Sequence, residues 1–199
     1  EVVVLEREVA GFGASGRNGG WVLGVVSGSR AGWIERGGNA GALALERAIQ
    51  ATVDEVGRVV QAEGIDCDFV KGGTLVVAQS ELELERLRAQ HAADREFGLD
   101  ERDSVLLDAE ALARRVRVRD GVGALFSPHC GRVQPAKLVR GLAEAAERAG
   151  ATIYERTAAV AIEPGRVPTV GGEVRARWVV RATEAYTANL PGLRRVLAP

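Results

Sequence analysis

The chain has 199 residues and a formal net charge of −1, with 26 Lys and Arg set against 27 Asp and Glu. Its length and apolar content suit one medium or two small globular domains. The interspersed charge argues against a nucleic-acid partner or a polybasic membrane patch, and no apolar run approaches the roughly 20 residues of a membrane span.

Val2–Leu5 is a β-branched apolar run and predicts a buried strand ending at Glu6. Gly11-Phe12-Gly13-Ala14-Ser15-Gly16 fits the pattern G-x-G-x-x-G. The dinucleotide fingerprint works only as a tight turn from strand to helix. Here a charged stretch separates it from the strand, and Arg17-Asn18-Gly19-Gly20-Trp21 after it has no helical period. Glu6 is the better candidate. In a Rossmann unit an acidic residue about 20 residues beyond the fingerprint closes the second strand and accepts a hydrogen bond from a ribose 2′-OH. Val2–Leu5 would then be that second strand, with the first strand and its glycine loop before Glu1. On spacing alone, a solvated Glu at a strand end is the alternative. The chain contains no methionine and is read as a piece of a longer protein.

Residues 11–38 are glycine-rich and nearly aperiodic. Over residues 39–63, Leu43, Ile49, Val53, Val56 and Val60 recur at helical spacing, with Asn39 as N-cap and Gly64 as stop. Residues 68–70 and 74–78 read as strands around Lys71-Gly72-Gly73. Cys67 and Cys130 are too few for a disulfide framework and are read as buried thiols; with His91 and His129 the only histidines, no metal site is expected. Ser80-Glu81-Leu82-Glu83 is a capping box, opening a helix that buries Leu84 and Leu87 and stops at Gly98. Residues 108–115 predict a short helix and 123–127 a strand.

Pro135 suits the first turn of a helix in which Leu138, Leu142, Ala145, Ala146 and Ala149 share a face. A parallel strand over 151–155 follows. Three short β segments complete the chain, over 157–162, 167–170 and 173–182, divided by the turn signals Pro164-Gly165 and Gly171-Gly172.

Three blocks carry a family resemblance. They are Val4-Leu5-Glu6-Arg7 with Gly13-Ala14-Ser15-Gly16-Arg17-Asn18-Gly19-Gly20, then Gly131 to Leu142, then Val179 to Thr187 with Leu190-Pro191-Gly192-Leu193. Together, in this order, they resemble the FAD-dependent oxidoreductases of the D-amino acid oxidase superfamily. The resemblance implies an α/β fold: a Rossmann-like FAD-binding domain, lacking its first strand and G-x-G-x-x-G in this chain, interrupted by a mixed-sheet substrate domain. Residues 1–66 and 130–199 would form the FAD-binding domain, truncated at both ends, and 67–129 part of the substrate domain.

The same resemblance implies the cofactor site. Glu6 would hold the adenosine ribose, with Arg7 beside the adenine. Ala14 and Ser15 would offer backbone N–H groups to phosphate, while Arg17, Asn18, Gly19 and Gly20 run under the isoalloxazine. Ala159 would meet adenine through its backbone, and Ala182 and Thr183 would close over the dinucleotide. Glu184 stands where glycine is usual, which puts that backbone geometry in question. No His or Cys occurs over residues 1–63, so no covalent flavin link is expected there.

The implied activity is FAD-dependent oxidation of the C–N bond of a small amino acid or amine, by hydride transfer to the flavin, in the cytoplasm. A flavin enzyme acting on a C–O bond and a non-catalytic remnant are the alternatives. Catalytic side chains are left unassigned, His129 being read as structural, and residues 1–199 alone are expected neither to hold FAD nor to be active.

Overall fold

The computed structural model describes residues 1–196. In chain order its elements begin with β1 (Val2–Leu5), β2 (Trp21–Leu23), α1 (Arg30–Ala62), β3 (Val70–Lys71), β4 (Thr74–Ala78), α2 (Glu81–Phe97) and β5 (Val105–Asp108). They continue with α3 (Ala109–Arg115), β6 (Gly123–Ser127), β7 (Cys130–Arg132), α4 (Pro135–Arg148), β8 (Ala151–Tyr154), β9 (Arg166–Thr169) and β10 (Gly172–Arg175). The chain divides into two compact units: Glu1–Arg17 with Val139–Pro199, and Asn18–Leu138.

In the first unit β1 lies parallel to β8, Val2 opposite Ala151 and Leu5 opposite Tyr154. Parallel neighbours require a long crossover, and the intervening chain, ending in α4, supplies it. The expectation of a buried β1 is corrected: Val2 and Val4 are 61% and 42% exposed. A parallel strand is buried only when both its faces are covered, and among the described residues β1 pairs with β8 alone. The helix face expected from Leu138 to Ala149 is likewise open in part, since Leu142 is exposed.

β9 and β10 form an antiparallel hairpin whose turn, Val170-Gly171, lies one residue before the expected Gly171-Gly172. The strand expected over 173–182 stops at Arg175, because β9 begins at Arg166, its last partner. Beyond it Trp178 and Val180 stay exposed. The strand expected over 157–162 reduces to one bridge, Ala159 to Thr169.

The second unit holds two antiparallel sheets, β4-β6-β5 and β2-β7-β3. Residues 68–70 and 74–78 therefore do not pair with each other. Asp68 has a left-handed backbone (φ 56°), which delays β3 to Val70. Ala78, Leu84, Leu87 and Leu125 form the core between α2 and β4-β6, and Leu107, Leu112 and Ala124 the core under α3.

The Ser80 N-cap and the Gly98 stop of α2 are as predicted, while the Glu83 carboxylate accepts from the Gln79 N–H (2.7 Å) instead of closing the capping box on the Ser80 N–H. The Ser80 hydroxyl accepts from the Glu83 N–H, and Gly98 ends the helix in left-handed backbone (φ 109°). Helix α1 begins earlier than expected, at Arg30 behind the N-cap Ser29, and breaks at Gly38 (φ 69°, ψ 173°). Gly32, Gly37 and Gly38 mask this first part in the sequence. The second part buries Ala42, Gln50, Val53 and Val60.

Candidate functional site

In the first unit the site is built at the C-terminal end of β1. The Glu6 N–H continues the ladder to the Tyr154 carbonyl (2.9 Å), and the Glu6 carbonyl accepts from the Thr157 N–H (2.8 Å). The strand end thereby fixes Thr157 beside Glu6, while Ala159 bridges to Thr169. Glu6 is half-buried, and its Oε1 accepts from the Glu8 N–H at 2.8 Å. This local bond holds the carboxylate in one orientation. Among the described residues Oε2 has no such partner, so one acceptor oxygen is left over. Arg7 is exposed and pairs with Glu8 at 3.3 Å, a weak contact that leaves it adaptable.

Residues 11–16 do not make the strand-to-helix turn of a fingerprint. Ala14–Gly16 is a single 3₁₀ turn, followed by β2. The turn closes tightly: a Cβ on Gly16 would overlap the Gly11 carbonyl oxygen. Ala14 and Ser15 sit exposed on its outside. Arg17 is turned back on Phe12, its Nε donating to the Phe12 carbonyl (2.5 Å) and its guanidinium 4.6 Å from the ring centre.

Later in this unit Ala182 is exposed, and the Thr183 hydroxyl lies 2.7 Å from that of buried Thr187. The question over Glu184 is answered: it keeps left-handed backbone (φ 44°). A side chain there is strained and glycine is not. Glu184→Gly is expected to raise stability by about 1 kcal/mol, read from the urea midpoint; an unchanged or lower midpoint would show that the backbone is unstrained.

In the second unit the Asn18 Oδ1 accepts from the Gly20 N–H at 2.8 Å. Gly20 is buried with φ 72°, and a Cβ there would overlap the Val133 carbonyl oxygen. Gly19 is different: it is exposed, and only Trp21 Cδ1, at 4.0 Å, would meet a Cβ there. Here the missing side chain serves no internal contact.

Sequence reading missed a polar cluster in this unit. Asp103 is buried, with Arg47 and His129 Nε2 (3.2 Å) on Oδ1 and the Asp100 N–H (2.7 Å) on Oδ2. His129 is thus held by a hydrogen bond to a buried carboxylate. Cys67 and Cys130 are buried free thiols, and burial pushes both up from the ordinary thiol range. Among the described residues no group of three or more His, Cys, Asp or Glu could hold a metal, and no helix is long and apolar enough to cross a membrane.

The profile of one protein family, DAO, described as FAD dependent oxidoreductase, matches residues 1–199. The chain belongs to this family. It is 33% identical over 196 residues to gamma-glutamylputrescine oxidoreductase of Escherichia coli K12, covering 95% of this chain and 44% of that protein. Glycine oxidase of Geobacillus kaustophilus is 32% identical over 196 residues, covering 95% and 49%. The crystal structure of glycine oxidase from Geobacillus kaustophilus superposes with a TM-score of 0.73 at 26% identity, over 97% of this chain and 51% of that one. The fold is therefore the mixed α/β fold of a glycine oxidase, and the cofactor of the family is FAD. The chain spans about half the length of these relatives.

Proposed function

We propose that the chain is the cofactor-holding part of an FAD-dependent oxidoreductase that oxidises the C–N bond of an amino acid or amine. The observation that carries the cofactor reading is Glu6: a half-buried carboxylate at the end of a parallel strand, oriented by the Glu8 N–H with one oxygen left over. The substrate class follows from the two relatives, a gamma-glutamylputrescine oxidoreductase and a glycine oxidase. When bound, FAD would accept hydride from the carbon beside the substrate nitrogen, giving an imine that water hydrolyses.

This chain's own residues would bind and orient. Glu6 would accept from the ribose, with Arg7 near the adenine. The Ala14-Ser15 turn would face phosphate, and Arg17 to Gly20 would run beneath the ring system. The backbone at Ala159 would meet adenine, and Ala182 with Thr183 would cover the dinucleotide. The pyrophosphate site would come from a strand and glycine loop preceding β1, a reading supported by the unpaired edge of β1 among the described residues.

By function, residues 1–66 and 130–199 would be the cofactor domain and 67–129 part of the substrate domain. That border differs from the compact units, because α1 packs on β3 within the second unit. The two free thiols, Cys67 and Cys130, are compatible with a reducing cytoplasm.

In the full-length protein Glu6→Gln is expected to weaken FAD binding by about 1.5–3 kcal/mol, the worth of a charge-assisted hydrogen bond. Fluorescence titration of the apoprotein measures it, and unchanged affinity would make Glu6 a solvated strand end. A panel of amines, amino acids and polyols, scored by anaerobic bleaching of the flavin, tests the substrate class. Bleaching by polyols alone would favour a C–O oxidation.

A further inference from the structure

Within the first unit, the loop that leaves β1 is tied to the end of β8. Backbone supplies some of the ties: the Glu6 N–H donates to the Tyr154 carbonyl (2.9 Å), the Thr157 N–H to the Glu6 carbonyl (2.8 Å) and the Arg156 N–H to the Glu8 carbonyl (2.8 Å). A further tie comes from a side chain. Glu155 Oε1 accepts from the Ala10 N–H at 2.8 Å. The two residues are far apart in sequence, and Glu155 is not among the residues proposed to hold FAD.

These ties lead to Glu6. Its Oε1 accepts from the Glu8 N–H at 2.8 Å, so the direction of that N–H sets where the carboxylate points. Glu8 is held in turn by Arg156, which takes left-handed backbone there (φ 52°). Such backbone is unfavourable for a residue with a side chain and persists only where its neighbours hold it. Ala10 is half-buried and Glu155 exposed. The Glu155 carboxylate closes the loop beyond Glu8, and without it that end of the loop loses its tie to β8.

We propose that Glu155 is a positioning residue for FAD binding: by clamping the Ala10 N–H it keeps the Glu8 N–H, and through it the Glu6 carboxylate, in the orientation that meets the ribose. This rests on the reading of Glu6 as the ribose acceptor. The role of Glu155 is indirect. It raises the fraction of apoprotein in which the loop is already formed, and apparent affinity scales with that fraction.

The test uses the full-length apoprotein, with FAD fluorescence titration and amide hydrogen exchange. Glu155→Ala is expected to lower FAD affinity about fivefold, the worth of one hydrogen bond, and to speed exchange at the Glu8 and Ala10 amides. Glu155→Gln keeps an acceptor oxygen and should restore most of both. Because Glu155 is exposed, its truncation opens no cavity and the fold should hold. The deciding comparison adds Glu155→Ala to Glu6→Ala. With no carboxylate left to orient, Glu155→Ala should then cost less than about twofold, a response that a merely structural Glu155 would not give. The same loss in both backgrounds, or equal losses in Glu155→Ala and Glu155→Gln, overturns the proposal. So does parent affinity in Glu155→Ala; if Glu6→Ala still binds FAD weakly, the reading of Glu6 stands without this residue. Parent affinity in Glu6→Ala overturns both.

Discussion

Asp103→Ala is expected to destabilise the protein by about 3 kcal/mol, the low end of the range for breaking a buried ion pair. The side chain of Asp103 is 1% exposed and that of His129 16%. Removing the carboxylate strips Arg47 and His129 Nε2 of an acceptor and leaves the Asp100 N–H unpaired. The cost stays at the low end because Arg47, about a third exposed, can rehydrate and still reaches Asp100 at 3.5 Å. Asp103→Asn should cost less, since an amide oxygen can still accept from Arg47, while its NH₂ would face the Asp100 N–H. Denaturant unfolding measures both. Combining Asp103→Ala with Arg47→Ala should give less than the sum of the single effects. A cost under about 1 kcal/mol for Asp103→Ala would mean that water replaces the carboxylate, and the cluster would not anchor this unit.

Which parts were legible in the sequence follows from how local their causes are. Helix α2 could be bounded to the residue because its causes lie within it: Ser80 caps it, Gly98 stops it, and Leu84 and Leu87 set its period. Glu6 could be singled out because an acid directly after a β-branched run is a local pattern. Pairing is not local. Nothing near residue 70 tells β3 to join β7 while β4, a few residues on, joins β6. Nothing in 173–182 says that β10 must end where β9 begins.

The two inward polar residues of α1, Glu46 and Gln50, were readable in principle. Ala42, Glu46, Gln50 and Val53 follow helical spacing, so two polar residues interrupt a core-facing stripe. The reading built on Leu43, Ile49, Val53, Val56 and Val60 counted only apolar positions and passed over them. The Asp103–His129 contact joins residues far apart in sequence, and no spacing rule reaches it.

The two glycines Gly16 and Gly19 are expected to separate a structural requirement from a cofactor requirement. At Gly16 a Cβ would overlap the Gly11 carbonyl oxygen and come within 2.8 Å of its carbon. The obstacle is backbone, which cannot rotate aside as a side-chain tip can. The Gly16 N–H also bonds the Gly13 carbonyl at 3.2 Å, so the turn has little room to shift. Gly16→Ala should therefore cost about 3 kcal/mol, the upper part of the overpacking range, and FAD affinity should fall because Ala14 and Ser15 ride on the same turn. At Gly19 only Trp21 Cδ1, at 4.0 Å, would meet a new Cβ. Gly19→Ala should leave the apoprotein within about 0.5 kcal/mol of the parent. If a flavin ring passes over Gly19, the added methyl group must displace it, and FAD affinity should drop at least about tenfold, or about 1.4 kcal/mol. Thermal unfolding of the full-length apoprotein and FAD titration of the same preparations give both quantities. Loss of stability without loss of affinity in Gly19→Ala would reverse the assignment, and wild-type affinity would remove Gly19 from the cofactor cradle.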